Sequence, residues 1–108
     1  MPEQITITPN VRSTKNEMKK THYLKTVQPY FEMVGNRLKP FEVRKNDRNF
    51  EEGDEVYLQE YDPKAKTYSG HQIRCEILYV LKDFPAIKKD YVVFGIKITQ
   101  LIVVRSHT

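Results

Sequence analysis

Two stretches of this chain alternate apolar and polar residues over lengths that only extended backbone can use. In His71–Lys82 the residues Ile73, Cys75, Ile77, Tyr79 and Leu81 fall on one side of a strand, while Gln72, Arg74 and Glu76 begin the other. In Tyr91–Val104 the positions Val92, Phe94, Ile96 and Ile98 repeat the alternation. A period of two places every second side chain on one face, whereas a helix would scatter the same residues around its circumference. Leu78 and Val80 make the far end of the first stretch apolar on both faces, which predicts cover on both sides there. Leu101–Val104 is a continuous apolar run that either lengthens the last strand or begins another.

Shorter strand signals precede these. His22–Val27 puts Tyr23 and Leu24 on opposite faces, and Glu55–Tyr61 puts Val56 and Leu58 on one face. Between them, Pro29 suits the first turn of a helix. Phe31 and Val34 then share an inward face at i, i+3, and Gly35 reads as a left-handed stop. Pro29, Tyr30 and Phe31 read as core and capping residues. Asp62–Gly70 is rich in turn residues and connects two strands, and Asp83–Asp90 is a loop. Several short strands and one short helix predict a mixed, mainly β chain: a small barrel, with the helix capping one end.

At 108 residues the chain has room for one domain. Residues 1–20 read as a flexible polar arm, because Pro9-Asn10 stops a brief alternation and Arg12, Lys15, Lys19 and Lys20 outnumber Glu17. Residues 21–108 form the domain. Charged residues make up 30 %, and no apolar run is long enough for a transmembrane helix. The first residues lack a basic segment followed by an apolar one, so the expected location is cytoplasmic, with no membrane partner. Cys75 is the one cysteine, which excludes an internal disulfide and a cysteine zinc site. It lies on an apolar strand face and reads as a buried small hydrophobe rather than a nucleophile. His22, His71 and His107 share no metal-ligand spacing, the four glycines form no phosphate loop, and no cofactor is implied. A net charge of +4 suits a phosphate-bearing partner and equally a solvated basic surface.

The segment Lys39–Asp54 carries the strongest functional signal. Glu42 and Arg44 are two apart, hence on one face of a strand, and Phe41 and Val43 are expected on the opposite face, in the core. An acid and an arginine fork on one face fit recognition of a polar, nucleotide-like group. The same pair also fits a cross-strand ion pair on a solvated sheet. Lys39 is three residues before Glu42 and joins it only if it belongs to the turn, for which the following Pro40 provides. Asn46 and Asp47 are expected to bond their own turn, leaving Arg48 free to reach a partner. Phe50 returns to the core and Gly53-Asp54 turns into the next strand. Tyr57, Tyr61, Tyr68 and Tyr91 offer stacking surfaces beside basic groups.

Lys39-Pro40-Phe41-Glu42-Val43-Arg44-Lys45-Asn46-Asp47-Arg48, followed by Phe50, Gly53-Asp54 and a Val-x-Leu strand, resembles the ASCH domain. The likeness is greater to an ASCH-related bacterial and phage family of unknown function, and it spans His22 to Ile98. The ASCH pattern is Gly-x-Lys-x-x-Glu-x-Arg. Lys39, Glu42 and Arg44 match its last three fixed positions, while Gly35 lies four residues before Lys39 instead of two. The resemblance implies a PUA-like β-barrel with an RNA-binding cleft beside the first helix. Lys39, Glu42, Arg44 and Arg48 are then the expected nucleic-acid contacts. One ASCH group is similar to amidohydrolases of acetylated cytidine nucleosides. That likeness implies a catalytic Lys39, but Glu42 stands where the threonine of that group stands, and the distant glutamate has only Glu76 as a candidate. The expected function is therefore an RNA- or nucleotide-binding module. The alternatives are an enzyme acting through Lys39 and Glu42 on a modified nucleoside, or a protein-interaction or phage accessory domain.

Overall fold

Alternating sequences need a neighbouring strand and cover on one face, and here five of them find both in one curled sheet. The computed structural model describes residues 19–105. Strands β1 (Thr21–Thr26), β2 (Phe41–Lys45), β3 (Glu55–Asp62), β4 (Thr67–Leu81) and β5 (Tyr91–Ile102) surround one short helix, α1 (Tyr30–Gly35). The sheet runs β1-β3-β4-β5-β2. β1 lies parallel to β3, and every other pairing is antiparallel. The result is mainly β: an open half-barrel whose edge strands are β1 and β2. The early expectation of an arm falls mostly on residues 1–18, outside the described ones. Lys20 is tied in, its carbonyl accepting from Glu55 N at 2.9 Å.

The inner face holds the core: Leu24, Val56, Leu58, Ile73, Cys75, Ile77, Val92, Phe94 and Ile96 from the strands, Val34 from α1 and Phe50 from the loop after β2. Phe31 and Ile98 pack against it. These are the faces that alternation predicts for β1, β3 and β5 and for the first half of β4. The second half of β4 departs. A register shift between Ile77 and Tyr79 inserts a bulge, after which Val80 faces the core and Tyr79 is exposed. One extra residue reverses every later side chain, so Tyr79 and Leu81 leave the face on which simple alternation puts them. β4 and β5 reach Leu81 and Ile102, so the terminal apolar run extends the last strand.

Two further expectations are corrected. Phe41 and Val43 lie on the outer surface, 41 % and 51 % exposed, and Glu42 is the buried residue of β2. Glu42 sits opposite the core residue Phe94. The strand can turn its polar face inward because that face brings its own cations, described below. In α1 the left-handed residue is Arg37 (φ 63), not Gly35. Arg37 N and Leu38 N donate to the Val34 and Met33 carbonyls, closing the helix two residues past the glycine.

β1 is anchored at its start by a buried carboxylate. Asp54 accepts from His22 Nε2 (2.8 Å), Lys20 N (3.1 Å) and Glu51 N (3.0 Å). His22 also packs on the Phe50 ring, with centroids 4.6 Å apart. The preceding Gly53 has φ 88, which a side chain would strain, and its N–H bonds Ile77 O at 2.8 Å. Burial raises the Asp54 pKa, but the His22 hydrogen bond, the two backbone N–H groups and the Lys20 charge outweigh it and hold the pKa below the ordinary carboxylate value. A folded-state value below the unfolded one stabilises the fold above the ordinary value of 3.8, and that contribution disappears as pH falls through the lower folded value. Asp54→Asn should therefore cost about 2 kcal/mol at neutral pH, the penalty for a buried group losing its charge-assisted bonds. The difference from wild type in thermal melting should shrink steadily below about pH 4.

Candidate functional site

Curling brings the two sheet edges to face each other, and arginine side chains span the gap. Arg44 of β2 donates from Nη2 to Thr26 Oγ1 of β1 at 3.2 Å. Arg48, in the loop after β2, donates from Nη1 to Tyr23 O at 2.7 Å. Beside the Arg44 bridge lies a cleft of about 350 Å³, lined by Lys25 and Thr26 at the end of β1, Val27 just after it, Tyr30 of α1, and Lys39, Glu42, Val43 and Arg44.

Glu42 forms its floor. The residue is 3 % exposed, and both carboxylate oxygens are paired. Lys39 Nζ donates to Oε2 at 2.9 Å; Arg44 donates to Oε1 from Nε at 3.0 Å and from Nη2 at 2.9 Å. The Glu42–Arg44 half follows from strand alternation. The Lys39 half does not, because a residue three away in a strand points to the other face. Lys39 belongs to the turn: its N–H bonds Met33 O at the end of α1, and its ammonium folds back over Phe41 O at 2.8 Å. The ammonium also lies 5.0 Å from the Phe41 ring and 5.8 Å from the Tyr30 ring. An ammonium carries three donors, and these two bonds leave one for a ligand.

Of the four residues expected at the site, three meet in the cleft and Arg48 does not. It is half-exposed and bridges to β1 at Tyr23, with Asp47 3.8 Å from its Nε. Asn46 serves its own turn as expected, its Oδ1 accepting from Phe50 N at 3.0 Å. Tyr30 corrects the reading as a core or capping residue: it is 51 % exposed at the cleft mouth. The helical phase contains that signal, since Tyr30 falls outside the i, i+3 stripe of Phe31 and Val34. Lys25 and Thr26 were not legible, because nothing in the chain says that the end of β1 faces β2. Glu76, the remote candidate for a catalytic acid, pairs across to Lys97 on β5 and does not line the cleft.

Beneath the floor, burial pushes the Cys75 thiol up to about 12, and the Glu42 charge adds in the same sense. That thiol is a core side chain without nucleophilic character at neutral pH. Among the described residues no three His, Cys, Asp or Glu side chains form a group that could hold a metal ion. No helix of the described residues is long and apolar enough to cross a membrane.

Residues 21–96 match the family described as a domain of unknown function (DUF3850). The chain belongs to that family. The match takes in β1, α1, β2, β3, β4 and the first half of β5, and with them every residue lining the cleft. No curated protein matches the chain. In this DUF3850 chain the cleft supplies two fixed cations over a buried carboxylate, a third cation at the rim and an exposed aromatic ring. The donors and the ring of such a set are chemically complementary to anions and planar groups.

The clamp makes a stability prediction that a solvated ion pair would not. Lys39→Met or Arg44→Met leaves Glu42 one cation and should cost about 1 kcal/mol. Removing both strands a buried charge and should cost about 3–5 kcal/mol. Urea unfolding of the two single variants and the double variant should therefore show strong non-additivity.

Proposed function

We propose that this chain binds single-stranded RNA or a nucleotide in the cleft between β1, α1 and β2. The observation that carries the reading is the convergence of Lys39, Glu42 and Arg44 on one concave surface with Tyr30 at its mouth. Arg44 and Lys39 take phosphate oxygens, Lys25 adds a third cation, and the Tyr30 ring supports a base. Glu42 acts by holding both cations in place, so that their ordering is already complete before a ligand arrives. A cleft of about 350 Å³ lies within the range of small-ligand sites. The resemblance to ASCH domains supports the same reading, since the three converging residues are those that match the ASCH pattern.

The test is a titration with a mononucleotide and a short single-stranded RNA at two salt concentrations. Affinity should fall with salt, and Arg44→Ala should weaken binding by about tenfold and flatten the salt slope by about one unit. Absence of binding at low salt would overturn the proposal, and so would unchanged affinity in an Arg44→Ala variant that melts as a folded protein.

A hydrolytic reading has one observation in its favour: Lys39 Nζ and Glu42 Oε2 are 2.9 Å apart, within proton-transfer distance. Turnover of an acylated nucleoside by the wild type, lost in Lys39→Ala, would replace simple binding with catalysis.

A further inference from the structure

The outer face of the sheet beside the cleft carries aromatic and basic side chains in ordered rows across β1, β3 and β4. Tyr23 and Tyr57 are register partners, as are Tyr57 and Arg74. The two rings stack with centroids 5.0 Å apart and planes 15° from parallel. The Arg74 guanidinium lies 5.9 Å from the Tyr57 ring on the side of β4 and is also ion-paired with Glu55. Tyr23 closes the row at the sheet edge, 54 % exposed, with the Arg48 guanidinium held on its carbonyl. The next row is polar: Lys25, Gln59 and Gln72 are register partners, and Gln59 Nε2 donates to Gln72 Oε1 at 3.2 Å. Beyond it, the rings of Tyr61 and Tyr68 lie 4.9 Å apart with planes tilted by 59°, and Lys25 Nζ stands 4.5 Å from the Tyr61 ring. Tyr91 is not part of this surface; it lies on β5 beneath Lys88.

We infer that this face is a stacking platform for single-stranded RNA that leads into the cleft. The inference rests on the reading of the cleft as a nucleotide site and extends it from one nucleotide to several. Rings on a sheet accept bases of any identity, and basic groups between them meet the backbone; Tyr23 and Tyr68 present the exposed rings, with Tyr57 and Tyr61 half-buried behind them. Here Lys25 lies over the Tyr61 ring, and Arg48 is held at the Tyr23 carbonyl. Lys25 belongs to both surfaces, lining the cleft and covering Tyr61, and so makes them continuous. On β3 successive rows are two residues apart, about 6.7 Å, while on β4 a register shift puts Tyr68 four residues from Gln72; the β3 spacing suits an extended strand rather than a stacked duplex. The amides of Gln59 and Gln72 lie between the aromatic rows, where donors and acceptors can engage a ribose 2′-hydroxyl, and this favours RNA over DNA.

Anisotropy titration of the full chain with oligouridylate of about six nucleotides, its DNA counterpart and uridine monophosphate tests the platform. The RNA oligomer should bind about tenfold or more tighter than the mononucleotide. A Tyr23→Val/Tyr57→Val variant, and separately Tyr61→Val, should lose about tenfold in oligomer affinity with mononucleotide affinity unchanged; valine keeps strand propensity while removing the ring. Tyr→Phe at the same positions should retain binding. The chain has seven tyrosines and no tryptophan, so the wild-type oligomer complex should also quench tyrosine emission more than the mononucleotide does. Equal affinity for oligomer and mononucleotide, or valine variants that bind as wild type, overturns the platform and leaves the cleft reading standing. Failure of the wild type to bind the mononucleotide overturns the cleft reading, and the platform with it. DNA bound as tightly as RNA overturns the assignment to RNA.

Discussion

A carboxylate cannot leave water without a countercharge, and the buried Glu42 imposes that constraint on everything around it. It sits at core depth opposite Phe94, yet both its oxygens are paired. To supply the pairs, the turn after α1 folds Lys39 back over the strand and Arg44 shares the inner face. The apolar residues of β2, Phe41 and Val43, are displaced to the outside as a consequence. A strand whose apolar residues alternation assigns to the core is thus turned over by one ion cluster, and the two cations end up oriented at a cleft.

The same arrangement explains how an open sheet holds its free edge. Among the described residues β1 pairs only with β3, in parallel, and has no strand on its other side. Side chains fix it instead. Asp54 grips its start through His22 and Lys20 N, Arg48 takes a carbonyl near its middle, and Arg44 reaches Thr26 at its end. Arg44 therefore has two roles, joining the sheet edges and presenting a guanidinium to the cleft. Opening of the half-barrel and loss of the cleft are one event in this geometry. A ligand seated on Arg44 and Lys25 contacts both edges and opposes that opening.

How much of this was legible follows from the range of each interaction. Period-two patterns are local, so the strands and most core residues could be read directly from the chain. The bulge at Ile77–Tyr79 is local in place but has no composition signal, and it reversed Tyr79 and Leu81. The Glu42–Arg44 pair is local and was legible. Lys39 needed the turn at Pro40, which strand alternation alone does not place beside the pair. Thr26 and Lys25 could not be found, because their part in the cleft depends on the curl of a sheet whose order is β1-β3-β4-β5-β2. The His22–Asp54 pair spans 32 residues and was hidden for the same reason. Its histidine looks like any residue on an alternating strand until the partner is placed beside it.

A basic chain that buries an acid at the floor of its cationic cleft gives up attraction for phosphate in return for geometry. Lys39 and Arg44 alone would form a mobile positive patch, open to any anion at comparable cost. Glu42 cancels one of the two charges and fixes the remaining donors, so an anion gains less from charge and more from fitting the donor directions. On the proposed reading, that separates the two surfaces by task. The cleft discriminates through fixed donors, while the tyrosine rows add area that tolerates any base. Neither task needs a large positive field, which agrees with a net charge of only +4 in a chain where charged residues make up 30 %.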